Sequence, residues 1–81
     1  MRSDKDTVSP EEYIERLKDL RRKANDLSHQ LERGIFNMES RLETGYTYLE
    51  GYSKINLSNA RGLTKTINNE LKKLCNIKIK Y

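Results

Sequence analysis

Eleven apolar residues frame this chain: Tyr13, Leu17, Leu20, Ala24, Leu27, Leu31, Ile35, Met38, Leu42, Tyr46 and Leu49. Each lies three or four residues from the one before. An α-helix brings residues at that spacing onto one face, because its turn is about 3.6 residues. From Tyr13 to Leu31 the steps alternate four and three, the heptad pattern of a coiled-coil seam. From Ala24 to Leu49 they run closer to an eleven-residue repeat, which suits a straighter helix. The residues between are almost all polar, so the stretch reads as an amphipathic helix with one long seam.

Its start is written clearly. Ser9 is a good N-cap, Pro10 suits the first helical position, and Glu12 stands three residues after the cap. This is a capping box reinforced by proline. Glu11, Glu12 and Glu15 place negative charge where the helix dipole favours it, and Val8 is positioned to staple onto Tyr13 or Ile14.

Gly34 falls inside the seam. The apolar phase does not reset across it, so the sequence favours a continuous helix through Gly34, at a cost of about 1 kcal/mol relative to Ala. A glycine beside a seam also lets a neighbouring helix come close. The first helix is expected to stop near Glu50, with Gly51 as its terminator. Asn56 or Ser58 would then cap a second helix carrying Ala60, Leu63, Ile67, Leu71 and Leu74 on one face. The tail from Asn76 to Tyr81 alternates apolar and basic residues. It reads as a frayed helix end, with a short edge strand as the alternative.

The expected fold is therefore all-α, a helical hairpin with a long helix over residues ~10–50 and a shorter one over ~58–77. Residues 1–8 read as a disordered leader, 9–77 as one helical domain and 78–81 as a tail. The lengths differ: roughly 60 Å against roughly 30 Å at ~1.5 Å per residue. The shorter helix would cover Ile35, Met38, Leu42 and Leu49 with its own Leu63, Ile67, Leu71 and Leu74, an intramolecular core. Tyr13, Leu17, Leu20, Ala24, Leu27 and Leu31 would remain as a seam for a second chain. Burying one such side chain is worth roughly 1.5–3 kcal/mol, so a homodimer or a helical partner is expected to cover it. A break at Gly34 would instead give a three-helix bundle that needs no partner.

Charge is unevenly spread. Residues 11–50 carry seven Lys/Arg and nine Asp/Glu, whereas residues 51–81 carry seven Lys/Arg and a single acid, Glu70. The basic segment either lies against the acidic one or forms a surface for an anionic partner. Lys65, Lys72, Lys73, Lys78 and Lys80 are the candidate anion or nucleic-acid surface. Acidic residues interleave the basic cluster of the first helix, and no zinc-finger, RNA-binding or helix-turn-helix signature is present. Nucleic acid is thus the second choice of partner. No apolar run exceeds two residues, which excludes a membrane-spanning helix and gives no signal peptide.

The sequence holds little material for catalysis. His29 and Cys75 are each the sole residue of their type, so no His/Cys metal cluster can form. His29 falls off the seam, and Cys75 reads as a small packing residue with no base to activate it. The lone cysteine fits a reducing, cytoplasmic setting. Tyr46, Tyr48 and Tyr52 gather near the expected bend, where they pack the corner or present an interface. The function expected is that of a small non-catalytic interaction protein, without cofactor or metal. It would be a regulator, adaptor, inhibitor or assembly component working through its helical seam. The alternative is a basic helical dimer that binds nucleic acid.

Overall fold

The computed structural model describes residues 7–81 and is 85% helical, with two helices packed against each other. The order is β1 (Thr7–Val8), α1 (Pro10–Thr44), α2 (Tyr48–Asn76) and β2 (Lys78–Ile79). The hairpin is an elongated rod, 60 × 19 × 12 Å.

Helix α1 begins as its sequence dictates. Ser9 is the N-cap with extended backbone, Pro10 opens the helix, and the Ser9 hydroxyl accepts the Glu12 N–H at 3.1 Å. The Glu12 carboxylate does not turn back to the cap. It accepts a hydrogen bond from Arg16 at 2.9 Å. The helix then runs unbroken through Gly34, so the three-helix alternative does not form.

The bend comes earlier than the sequence indicated. Gly45, not Gly51, ends α1: it adopts the left-handed conformation (φ 79°) and its N–H bonds the Arg41 carbonyl at 2.8 Å. Glycine reaches that region without the steric cost a Cβ would impose. Thr44 reinforces the stop, donating to the Ser40 carbonyl at 2.7 Å while its hydroxyl accepts the Tyr46 N–H at 3.2 Å. Only Gly45, Tyr46 and Thr47 link the helices. Gly51, Asn56 and Ser58 all lie within α2, which begins ten residues before the expected start.

This earlier bend removes the length mismatch. The helices have 35 and 29 residues, so α2 runs back almost to the start of α1. Leu20, expected to need a second chain, is 8% exposed within the hairpin. Tyr13 and Leu27 are half-buried.

The chain ends meet at the open end. Thr7 pairs with Lys78 and Val8 with Ile79 in a two-residue parallel bridge, and Lys80 donates its N–H to the Val8 carbonyl at 2.8 Å. Val8 is buried. The tail is thus the short strand rather than a frayed helix end, and Thr7 and Val8 are its partner. Residues 1–6, the remainder of the expected leader, lie outside the described residues.

Candidate partner-docking site

The contact between the helices follows a strict heptad. Sheltered positions on α1 include Leu20, Lys23, Leu27, Gln30, Gly34, Asn37 and Arg41; those on α2 include Leu49, Ser53, Asn56, Ala60, Leu63, Ile67, Glu70 and Leu74. Steps of three and four recur throughout both series, the spacing by which each helix turns one face to the other in the hairpin. What fills these positions changes along the rod. Toward the open end they hold Leu20 and Leu27 on α1 with Leu63, Ile67 and Leu74 on α2. Toward the bend they hold Gln30, Gly34, Asn37 and Arg41 against Ser53 and Asn56.

The polar half is hydrogen-bonded across the pair. The Ser53 hydroxyl donates to the Gly34 carbonyl at 2.9 Å. The Asn56 amide donates to Gln30 Oε1 at 3.0 Å, and its Oδ1 accepts from Asn37 Nδ2 at 2.9 Å. Asn59 adds a 3.4 Å donation to the same Gln30 oxygen. The helices come close at Gly34: a Cβ there would lie 3.5 Å from Ser53 Oγ and 3.8 Å from the Asn56 Cβ, ordinary contact distances. A buried amide that finds its partners in one register costs free energy in every other. This network accordingly favours the observed register over slipped ones.

At the other end of the contact, Lys23 holds the helices together electrostatically. Its ammonium donates to Glu70 Oε2 at 2.5 Å and lies 2.9 Å from Asp19 Oδ2. The hydrogen bond to Glu70, followed by that to Asp19, raises the Lys23 pKa. The same ammonium lowers the Asp19 pKa, first through its hydrogen bond and then through its charge. The sole acid of the basic C-terminal segment is thereby engaged with α1.

With polar groups inside the bend half, most of its apolar residues face outward. Ile35 and Leu42 are 60% and 82% exposed and Met38 is also exposed; toward the open end Leu71 is 43% exposed. These four were expected in the intramolecular core and do not lie in it; Leu49, Leu63 and Ile67 are half-buried there and Leu74 is buried. The physical reason is a one-position offset. Ala24, Leu31 and Met38 each follow an inward residue by one, as Ile35 and Leu42 do, so the apolar residues of α1 form two adjoining stripes rather than one. Leu20 and Leu27 belong to the inner stripe. Leu17, Ala24 and Leu31 belong to the outer one and remain exposed.

The outer stripe opens onto a shallow groove of about 450 Å³ lined by Leu31, Ile35, Met38, Leu42 and Leu57, with Gly34 and Ser53 at its floor and Glu39 at its edge. Leu57 comes from α2 and was not singled out by the sequence. Its spacing to Leu71, two heptads further on, is the signal that carries it. Contiguous exposed apolar residues rimmed by polar ones mark interaction surfaces.

The other candidate residues stand apart from this groove. Lys65, Lys72, Lys73, Lys78 and Lys80 are exposed, and Lys73 borders a depression shared with Glu12, Glu15, Asp19 and Glu70. Tyr46 stacks on Tyr48 at 5.7 Å and Tyr48 meets Tyr52 edge-on at 5.7 Å, all three exposed around the bend. Among the described residues no group of His, Cys, Asp and Glu is placed to hold a metal ion, and no helix is long and apolar enough to cross a membrane. Compared with protein-family models, curated proteins and solved structures, the chain matches none of them.

Proposed function

We propose that this chain is a small non-catalytic interaction protein that works by docking a helical partner on the outer apolar face of its bend half. A setting in the cytoplasm goes with that reading. The observation that carries it is the inversion of polarity: Gln30, Asn37, Ser53 and Asn56 are inside while Leu31, Ile35, Met38, Leu42 and Leu57 are outside. Enclosing the outer residues between helices would remove each from water, worth roughly 1.5–3 kcal/mol per side chain. The groove follows the helix axes, and an amphipathic helix fits such a groove through anchors at i, i+3, i+4 and i+7.

Affinity capture from the native host tests this, with the wild-type chain and an Ile35→Glu/Leu57→Glu variant as paired baits. A partner, including another copy of the chain, that is retained by the first and lost by the second supports the reading. Identical capture by both baits contradicts it.

The exposed lysines favour a second reading, nucleic-acid binding. Lys65 and Lys72 stand seven residues apart on one side of α2, and neither makes an ion pair among the described residues. A salt titration against duplex and single-stranded DNA decides it, because phosphate contacts release counterions and weaken as salt rises.

A further inference from the structure

We infer that the occupant of the groove is a second copy of this chain, packed with both bends at the same end so that α1 of one copy lies on α2 of the other. This rests on the docking reading above and adds the partner and its orientation.

The argument is the charge that flanks the apolar face. On the α1 side the flank is acidic. Glu39 edges the groove, and Glu32 precedes it by one heptad on the same side of α1. On the α2 side the flank is basic: Lys54 and Arg61 stand three residues before and four after Leu57, one turn to either side. Glu39 and Arg61 make no ion pair among the described residues, while Glu32 and Lys54 have only loose partners in His29 at 3.7 Å and Glu50 at 3.5 Å. One face thus carries opposite charges along its two edges, which is what self-recognition about a two-fold axis needs.

Two face-to-face arrangements are available. With the axis along the rod, the bends coincide. Glu32 and Glu39 then meet the partner's Lys54 and the partner's Arg61, and the two apolar grooves cover each other. With the axis across the rod, the bends are opposed and α2 lies on α2. Lys54 and Arg61 would then face the partner's Lys65 and the partner's Lys72, and each groove would lie against the sparser end. The first arrangement satisfies charge and apolar burial together. Toward the open end Lys65 and Lys72 leave the α2 flank basic, while on α1 Lys18 is paired with Glu15 at 3.9 Å, so no acidic edge faces those lysines and the contact centres on the bend half. Half of the 60 × 19 Å face is about 570 Å², below the ~800 Å² per partner of a standard interface. The association is therefore concentration-dependent.

Sedimentation equilibrium of the full chain, from roughly 5 to roughly 300 µM, reads this directly. Circular dichroism on the same samples checks that each variant is helical. The wild type is expected to move from its 9.6 kDa monomer toward twice that mass. Lys54→Glu/Arg61→Glu alone is expected to stay monomeric, as is Glu32→Lys/Glu39→Lys alone, and mixing the two is expected to restore the dimer. Bends opposed would give the reverse for Lys54→Glu/Arg61→Glu, whose new acids would meet the partner's Lys65 and the partner's Lys72 and strengthen association. That result overturns the arrangement. A wild type that stays monomeric overturns self-association. If its bait still holds a partner that Ile35→Glu/Leu57→Glu releases, the docking reading survives; if it holds none, both fall.

Discussion

The hydroxyl of Ser53 donates to the backbone carbonyl of Gly34 at 2.9 Å across the two helices, in the middle of the rod. It places a helix-weakening glycine, Gly34, where the two helices approach each other. The space beside it admits a methyl group, since a Cβ would lie 3.5 Å from Ser53 Oγ, an ordinary contact. Gly34→Ala should therefore leave stability unchanged or raise it by up to ~1 kcal/mol through helix propensity. Gly34→Ile should lower it by about 1–3 kcal/mol, because the longer side chain must displace α2. Urea unfolding followed by circular dichroism reads both.

Asn56 joins Gln30 and Asn37 through two hydrogen bonds, both between side chains of opposite helices. Asn56→Ala strands the Asn37 amide in a half-buried contact and leaves Gln30 with only the 3.4 Å donation from Asn59. A loss of about 1–3 kcal/mol is expected, more than the small change in volume would cause. The control is Ser58→Ala, exposed on the same helix, which should change stability by no more than about 0.5 kcal/mol. The same urea titrations compare the two.

The glycines of the second helix behave differently. A Cβ on Gly51 or Gly62 would meet nothing within 4 Å. Gly51→Ala and Gly62→Ala should each stabilise the hairpin by up to ~1 kcal/mol. Gly45→Ala should destabilise it by about 1–2 kcal/mol, because φ 79° is a strained region for a residue with a Cβ. This contrast, read from unfolding midpoints, checks the position of the bend itself.

Lys23 gives a pH dependence with a defined sign. Its pKa is raised above 10.5 by the hydrogen bonds to Glu70 and Asp19, so its contribution is complete below 10.5 and fades as pH climbs through the raised value. Asp19 is lowered below 3.8 by Lys23, so its contribution is complete above 3.8 and fades as pH falls through the lowered value. Thermal melts across the pH range should show both losses in the wild type. Lys23→Met should remove the alkaline one and diminish the acidic one.

These relations show which features the sequence carried and which it could not. The Ser9–Pro10–Glu12 start was legible because capping depends on a few neighbouring residues. Continuity through Gly34 was legible because the apolar phase persists across it. The bend was not, because Tyr46 and Leu49 continue that phase past Gly45, and Thr47 offers α2 no side-chain cap. The candidate site was only half legible. Its apolar residues on α1 were visible, though Leu57 of α2 was not, and two stripes one position apart look like one seam until the partner helix is placed. The inward positions of the bend half hold Gln30, Asn37, Ser53 and Asn56, which no hydrophobic pattern can single out. They become an interior only through hydrogen bonds between distant parts of the chain.

The measurement that tests the central claim most directly is the solution mass and stability of Leu31→Glu and Leu42→Glu beside the wild type. If the bend half is polar inside and apolar outside, both variants keep the helicity and unfolding midpoint of the dilute wild type and remain at 9.6 kDa where the wild type associates. Loss of helicity in the dilute variants would mean that Leu31 and Leu42 belong to the hairpin's own core, and would contradict the account.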